Sequence, residues 1–536
     1  MLRKIRVLGV AVAALGLAAC GGTDSPTAKV ATTNQRGTLV DNPALRVASL
    51  NQADFTAQLN ATASGQQLLA LAGTPACGVD FYYIKYWTVG TGPQPAPATM
   101  VSGALMVPTG SAPQCSGSRP IVLYAHGTTT DSTYNIADIA DTSNAANSES
   151  ALIAAVFAAQ GYIVVAPNYA GYDISNLGYH PYLNGVQNSE DMIDALAAAR
   201  TALLSTFTPG TTDSGKLYVT GYSEGGYVAM ATVKAMQAAG EVVTAAAPSS
   251  GPYALEAFGD AIFFGQVNIG STIFAPLTTT SYQKAYGNVY TQTSDVYSST
   301  YASGIDTLLP SATSLATLFQ NGKLPQTALF NSTTPTSSTG NAVLDAAANQ
   351  LLAKPSSPPY SASEAALFDT GFGSSYLVND KYRVGYVDDA VINPDQAEMT
   401  LIGGGTLNSS NVALAATSPD ANGLRQDFKL NDMRGGWAPQ EPMLLCGGDQ
   451  DPTVFFQNTQ IMAAEWSPYV QGGLVSVLDL NAAPVAGSPF APLQVALQQT
   501  EAQLVAANGA AAVQSYHTTE APFCMVAARG FFAKVP

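Results

Sequence analysis

The chain has 536 residues and a formal net charge of −16, and only 11% of its residues are charged, against about 25% in an average globular protein. Its length suits one large domain or two. Lys and Arg form no run after the first few residues, which argues against a basic surface and therefore against a nucleic-acid partner.

The N-terminus has the pattern of an export signal. A positively charged start precedes an apolar stretch from Val7 to Leu17, which is too short for a bilayer span of about 20 residues. The stretch ends in Leu-Ala-Ala-Cys at residues 17–20, which resembles the bacterial lipobox and implies a lipid on Cys20. An ordinary cleavage site beside an unrelated cysteine is the alternative.

This pattern predicts a signal peptide at residues 1–19 and a lipid-anchored flexible tether at 20–45. The tether is rich in Thr, Ser, Asn and Gly and lacks periodicity, as flexible linkers do. We therefore expect an exported bacterial lipoprotein, periplasmic or at the cell surface. Its membrane contact would be the anchor at Cys20 alone.

Eight short apolar runs predict strands, and the helical patterns between them predict parallel crossovers. The strands are predicted at Val79–Val89, Met100–Val107, Pro120–Ala125, Tyr162–Pro167, Lys216–Thr220, Val242–Ala247, Met443–Cys446 and Leu474–Leu480. Helices are predicted at Glu149–Gln160, at Tyr227–Ala239, and from a cap at Asn188 to Leu204. The alternation predicts an α/β fold with a mostly parallel eight-stranded sheet flanked by helices.

Residues 253–436 interrupt this alternation. They are polar and rich in Gly, Pro, Ser and Thr, with scattered helical segments such as Ala342–Leu352. A structureless loop of that length is not expected inside a compact domain. We therefore predict an inserted cap over the functional site, between two parts of the core at 46–252 and 437–536. An independent second domain without a catalytic role is the alternative.

Four cysteines remain once Cys20 is assigned to a lipid. Four cysteines allow three disulfide pairings, between which sequence alone does not choose. We favour Cys77–Cys115 and Cys446–Cys524, the pairs that are nearer along the chain. Four buried free thiols are the alternative, although oxidised pairs are typical of exported proteins.

Gly221-Tyr222-Ser223-Glu224-Gly225 matches the nucleophile-elbow pattern Gly-x-Ser-x-Gly. In a chain with 48 glycines the pattern alone is weak. Its context strengthens it, because a predicted strand comes directly before it and a predicted helix directly after it. The pattern therefore predicts Ser223 as a nucleophile.

A serine nucleophile needs a base and an acid that orients the base. Of the three histidines, only His517 follows Ser223, as the order Ser, acid, His of α/β hydrolases requires. The acid is expected after the next-to-last predicted strand, where Asp449 and Asp451 stand. We prefer Asp451, because residues 448–454 resemble the Gly-x-x-Asp-Pro-x-Val acid loop of these hydrolases. Asp449 is the fallback and otherwise a turn residue.

The oxyanion of the reaction intermediate needs N–H donors. The N–H of Glu224 is one predicted donor. The second is expected in the loop after the Pro120–Ala125 strand, where we favour Thr128, with Thr129 and Gly127 as alternatives. His126 is predicted to brace this loop. For His180 a place at the site and a structural role both remain open.

The motifs at residues 124–129, 161–167, 180–183 and 221–226 together resemble the secretory lipase family of α/β hydrolases. The resemblance covers residues 80 to 250 and returns at 440–456 and 516–533, where Tyr516-His517 and Ala521-Pro522-Phe523 carry His517 over. It implies a capped α/β-hydrolase fold that acts on carboxylic esters, acylglycerols included, without a metal or organic cofactor. Two departures are Asn168, where many relatives have Asp, and a helix-like stretch at Pro492–Ala507 before His517.

We therefore expect an exported, monomeric serine hydrolase that cleaves short or medium acyl esters, with acylglycerols and oligoesters among the candidates, through an acyl-enzyme on Ser223. Its partner would be a small-molecule or lipid-like ester substrate. Three scattered histidines without His-Glu-x-x-His predict no metal site. The alternatives are a serine peptidase of the same fold and a non-catalytic surface binding protein that kept the fold.

Overall fold

The computed structural model describes residues 35–90, 98–206, 210–356, 360–415 and 420–535. The predicted signal peptide and Cys20 lie outside these ranges. None of the helices within them combines the length and the hydropathy needed to span a membrane.

The strands are β1 (Leu45–Leu50), β2 (Gly78–Val89), β3 (Ala98–Thr109), β4 (Ser118–Ala125), β5 (Ile163–Pro167), β6 (Thr212–Tyr222), β7 (Ala245–Ser249), β8 (Phe330–Asn331), β9 (Phe372–Gly373), β10 (Met443–Gly447) and β11 (Val475–Asp479). The α-helices are α1 (Gln52–Asn60), α2 (Ala63–Ala72), α3 (Asn147–Val156), α4 (Gly185–Thr206), α5 (Glu224–Ala238), α6 (Leu255–Phe263), α7 (Ser271–Tyr286), α8 (Leu315–Gln320), α9 (Ala342–Leu352), α10 (Ala362–Asp369), α11 (Asp380–Ile392), α12 (Gln396–Ile402), α13 (Gly423–Asn431), α14 (Gln457–Trp466), α15 (Ala491–Asn508) and α16 (Tyr516–Phe532).

The main sheet has nine strands in the order β1-β2-β3-β5-β4-β6-β7-β10-β11. The first four strands in this order pair antiparallel, and from β5 to β11 all pairs are parallel. Strands β5, β7 and β10 are buried along their whole length, because helices cover both faces of a parallel sheet. The predicted α/β fold with a mostly parallel, helix-flanked sheet is confirmed.

The prediction of eight strands is wrong by one, because β1 forms an additional edge strand. Its side chains are mostly exposed, so it lacks the apolar run that identifies a buried strand. Residues 36 and 39, which fall within the flexible tether predicted at 20–45, also make contacts with the core. Leu39 bridges Tyr86, and Arg36 Nε donates to Asp194 at 3.0 Å.

Helix α4 begins three residues earlier than the predicted cap at Asn188. Asn188 is fully buried within the helix. The capping position belongs to Asn184, whose Oδ1 accepts from the N–H of Gln187 at 3.1 Å. Both residues are asparagines, so the local preference for Asn at a helix start did not distinguish them.

The predicted cap range contains helices α6 to α13 and a two-stranded parallel sheet of β8 and β9. A buried ionic cluster around Arg425 joins α6 to α11 and α13. The guanidinium of Arg425 lies 2.7–3.2 Å from four carboxylates, those of Glu256, Asp260, Asp389 and Asp420. Burial and the neighbouring carboxylates raise the pKa of Glu256 to about 8, because both disfavour a further negative charge in the cluster.

Two disulfides connect Cys77 to Cys115 and Cys446 to Cys524. The favoured pairing is therefore confirmed. The second bridge joins β10 to α16, the helix that carries His517. It consequently links the strand before the acid loop to the element that positions the predicted base.

Replacing this bridge by Cys446→Ala/Cys524→Ala is expected to lower the melting temperature. The cysteines stand 78 residues apart, and releasing a loop of that length costs about 4 kcal/mol in the chain-entropy model. Thermal unfolding of the folded variant measures the loss. Cys77→Ala/Cys115→Ala is the matched control: it opens a loop of 38 residues away from His517 and should spare activity at low temperature. An unchanged melting temperature for the first variant would contradict the expectation.

Candidate active site

Ser223 lies at a sharp turn between β6 and α5. Its backbone has φ 63° and ψ −127°, a region that residues other than glycine enter only under strain. The flanking glycines are required sterically, since a Cβ at Gly225 would lie 2.0 Å from the carbonyl oxygen of Ala125, and one at Gly221 would lie 2.3 Å from the carbonyl oxygen of Gly225. The strand, turn and helix therefore form the nucleophile-elbow geometry that the motif predicts.

His517 and Asp451 are in direct contact, although 66 residues separate them. Nδ1 of His517 lies 2.6 Å from Oδ2 of Asp451. The other carboxylate oxygen accepts from the N–H groups of Thr453 and Val454 at 2.8 and 3.1 Å. These bonds hold Asp451 as a fixed acceptor, so the ring proton of His517 resides on Nδ1 and Nε2 is left as the acceptor.

Asp449 has a different environment from Asp451. Its side chain is exposed, and its backbone N–H donates to Asp479 at 3.2 Å. Asp451 is only 4% exposed. The geometry thus brings Asp451, and not Asp449, to the imidazole of His517.

The imidazole of His517 lies beside the residue that precedes Ser223. Its ring centroid is 4.8 Å from that of Tyr222, and the Tyr222 hydroxyl donates to the His517 carbonyl oxygen at 2.6 Å. Within the described part of the chain, Nε2 of His517 is shielded from solvent and has no hydrogen-bond partner. A base in a free enzyme often completes its bond to the nucleophile only when substrate is bound.

The loop after β4 lies alongside Ser223. A Cβ on Gly127 would be 3.7 Å from the Cβ of Ser223. The Gly127 N–H is already bound by Oε1 of Glu149 at 3.1 Å, which removes Gly127 as an oxyanion donor. Among the hydrogen bonds of the described residues, the N–H groups of Thr128, Thr129 and Glu224 donate to no protein acceptor, so they are available to an anion beside Ser223.

His126 is buried behind this loop. Its Nδ1 lies 2.7 Å from the carbonyl oxygen of Gly127 and its Nε2 3.2 Å from that of Asn168, while its ring stacks on Tyr169 at 4.0 Å. Burial lowers the pKa of His126, which favours the neutral ring. These contacts connect the loop after β4 to residues 168 and 169, which agrees with the predicted supporting role of His126.

The Asn168 side chain both accepts and donates hydrogen bonds. Its Oδ1 accepts from the N–H of Ile136 at 2.8 Å, and its Nδ2 donates to Ser102 Oγ at 2.9 Å. Because Ser102 Oγ donates its own proton to Asp173 at 2.6 Å, it can only accept from residue 168, and an ionised carboxylate there could not make this bond. The departure at this position is therefore accommodated by its surroundings.

His180 contacts Glu224 rather than Ser223. Its Nε2 lies 2.6 Å from Oε1 of Glu224, with both side chains fully buried, and its Nδ1 lies 2.8 Å from the carbonyl oxygen of Ala170. It anchors the residue whose N–H is the predicted oxyanion donor. Of the two roles left open by the sequence, the contacts match the structural one.

Two residues near His517 were missed by sequence reasoning. Glu520 and Ser250 form a buried hydrogen-bonded pair at 3.1 Å behind the His517–Asp451 contact. Glu520 follows His517 by three residues, a spacing that places both on one face of a helix. That spacing was a usable signal, but residues 516–520 were not predicted to be helical.

A cavity of about 90 Å³ lies beside Ser223. Its walls are predominantly apolar and come mainly from helices α6, α7 and α13, which belong to the predicted cap range. The apolar wall includes Leu255, Phe258, Ile262, Phe274, Ala275, Leu424 and Phe428. Helices of residues 253–436 therefore border an apolar space directly next to the strained serine.

A strained serine between a parallel strand and a helix, a histidine bound to a buried aspartate, and free N–H groups together define a serine hydrolase of the α/β-hydrolase fold. Residues 148–284 match the model of the prolyl oligopeptidase family. No curated protein matches the sequence.

Solved structures agree with this fold. The rice cell wall degrading esterase LipA from Xanthomonas oryzae is 25% identical, with 88% of this chain and 98% of LipA covered and a TM-score of 0.59. A point mutant of LipA gives 24% identity, 92% and 98% coverage and a TM-score of 0.63. A Legionella pneumophila protein gives 18% identity, 93% and 98% coverage and a TM-score of 0.60. The chain is similar to these α/β hydrolases along nearly its whole length.

Proposed function

We propose that the protein is a carboxylic ester hydrolase in which Ser223 is the nucleophile, His517 the general base and Asp451 the acid that orients it. Oγ of Ser223 attacks the ester carbonyl while Nε2 of His517 takes its proton. The N–H groups of Glu224 and Thr128 bind the resulting oxyanion. The intermediate then expels the alcohol, which receives the proton from His517, and leaves an acyl group on Ser223. Water deprotonated by His517 releases the acid.

The proposal of an ester as the substrate rests on the cavity beside Ser223. The space next to Ser223 is a small apolar cavity enclosed by cap side chains, which suits a short or medium hydrocarbon acyl group. The esterase activity in the name of LipA supports the same choice. Acylglycerols and oligoesters with such acyl groups are the natural substrates we propose.

A serine peptidase is the second candidate function, because the matching family model is that of prolyl oligopeptidases. The same three residues cleave amides by the same chemistry. A paired assay of p-nitrophenyl butyrate and aminoacyl p-nitroanilides separates the two candidates. Turnover of the ester alone would support the proposal, and faster turnover of the anilides would contradict it. Failure of Ser223 to react with a fluorophosphonate probe would favour a non-catalytic binding protein.

The Ala275→Phe variant is expected to shorten the acyl chain that the enzyme accepts. Ala275 lines the cavity beside Ser223, and an added phenyl ring fills space that a longer chain would occupy. We expect kcat/KM for p-nitrophenyl octanoate to fall about tenfold more than that for the acetate, since a few methylenes in an apolar pocket are worth this much. Ala346→Phe, at an exposed position of α9, is the control. A parallel loss for both esters would contradict the assignment of the cavity to the acyl group.

We further propose that the chain is exported and anchored to a membrane through a lipid on Cys20. The two disulfides support an oxidising, extracytoplasmic compartment, and the pattern of residues 1–20 supports the lipid. The intact mass of the mature N-terminal peptide tests the anchor: a diacylglyceryl mass on Cys20 supports it, and an unmodified cysteine contradicts it.

A further inference from the structure

The proposed base and acid have a third polar side chain behind them, that of Glu520. It is fully buried. A carboxylate oxygen of Asp451, a ring nitrogen of His517 and a carboxylate oxygen of Glu520 all lie within 4.8 Å of one another. Oε1 of Glu520 accepts from Ser250 Oγ at 3.1 Å. Oε2 lies 3.2 Å from the Tyr222 hydroxyl. No step of the proposed reaction uses Glu520.

The protons around Tyr222 can be counted. Its hydroxyl carries one proton and makes three hydrogen-bond contacts: with the His517 carbonyl oxygen at 2.6 Å, the Glu520 carboxyl at 3.2 Å and His517 Nδ1 at 3.3 Å. The carbonyl oxygen can only accept and is the nearest, so it receives the proton. The proton on Nδ1 is directed to Asp451 at 2.6 Å. The remaining contact is then a hydrogen bond only if Glu520 supplies a proton to the Tyr222 oxygen.

The surrounding charges favour a protonated Glu520. Burial and the adjacent Asp451 raise its pKa well above the usual range for a glutamate. Glu501 on α15 adds a further negative charge. The other titratable groups that face Glu520 are Tyr222, Tyr253, Tyr516 and His517. Among the described residues, no lysine or arginine forms an ion pair with Glu520.

We propose that Glu520 is a positioning residue for the catalytic pair: as a neutral carboxylic acid it donates to the Tyr222 hydroxyl, which holds the His517 backbone so that the imidazole stays bound to Asp451. This inference rests on the proposed roles of His517 and Asp451. Ionisation of Glu520 would place a second carboxylate beside Asp451 and draw the Tyr222 proton away from the His517 carbonyl. Activity is therefore lost on the alkaline side, where Glu520 ionises.

The test compares Glu520→Ala, which removes the carboxyl, with Glu520→Gln, whose amide can donate to Tyr222 and accept from Ser250 but cannot ionise. With p-nitrophenyl butyrate, Glu520→Ala is expected to lower kcat about 10- to 100-fold, the effect of a base displaced by a fraction of an ångström to one ångström, with little change in KM. Glu520→Gln is expected to recover most of this loss. In kcat profiles between about pH 6 and 10, it should also lack the alkaline fall of the wild type.

Glu398→Gln is the matched control, because Glu398 is another fully buried glutamate with a raised pKa, located on α12 in the cap. It should leave the alkaline fall unchanged. The inference is overturned if Glu520→Gln loses as much kcat as Glu520→Ala, or if its alkaline fall matches that of the wild type. If Glu520→Ala does not fold, the pH profile of Glu520→Gln decides. If Ser223→Ala loses turnover while both Glu520 variants keep the kcat and pH profile of the wild type, this inference is overturned and the proposed function stays intact.

Discussion

The Ser223→Ala variant is expected to lose nearly all turnover of p-nitrophenyl esters, with kcat falling about 10⁵-fold or more, as when the nucleophile of a catalytic triad is removed. Without Oγ no acyl-enzyme forms. The Asp451–His517 pair and the free N–H groups remain, but the nucleophile on which they would act is absent. The alanine removes one partly exposed hydroxyl, so the melting temperature should stay within a few degrees of the wild type.

Steady-state kinetics at several ester concentrations measure this loss, and thermal unfolding checks that the variant is folded. Reaction with a fluorophosphonate probe gives an independent readout, since the wild type should be labelled at Ser223 and the variant should not react. Turnover that survives in a folded Ser223→Ala protein would place the nucleophile elsewhere.

The Asp451→Asn variant is expected to lower kcat about 10⁴-fold, the cost of presenting the wrong imidazole tautomer to the nucleophile. An asparagine can donate to Nδ1 of His517, which moves the ring proton to Nε2 and blocks proton transfer from Ser223. The backbone donors Thr453 and Val454 still bind the amide oxygen, so the fold should persist.

Asp449→Asn is the matched control for this variant. It makes the same chemical change two residues away, on an exposed side chain that does not contact His517. Its kcat should remain within about twofold of the wild type, because surface substitutions away from the site are usually near neutral. The reverse pattern, with Asp449→Asn inactive and Asp451→Asn active, would exchange the two assignments.

Elements that are buried on both faces could be predicted from the sequence. Strands β4, β5 and β10 are continuous apolar runs, and such runs have few alternatives once helices flank them. The nucleophile elbow was equally recognisable, because glycines on both sides of Ser223 are needed to prevent backbone collisions at 2.0 to 2.3 Å. Strand β1 was not predictable, since an exposed edge strand needs no apolar pattern.

The choice between similar residues close together in the chain was open to sequence reasoning only in part. Asp449 and Asp451 stand in one loop, and Asn184 and Asn188 stand near one helix start. Local preference ranks such residues weakly, whereas burial and a distant partner separate them completely. Asp451 contacts the imidazole of His517, which is 66 residues away in the sequence, while Asp449 is exposed to solvent.

The sequence by itself determined the order of the buried strands and of the helices between them, the position of the strained serine and the identity of the one histidine that follows it. These features depend on backbone sterics and on hydrophobic periodicity, which act over a few neighbouring residues. Only the tertiary structure decided the disulfide pairing, the contact of His180 with Glu224, the apolar cavity beside Ser223 and the buried Glu520. Each of these joins residues far apart in the chain, and burial then sets the protonation and partners of their side chains.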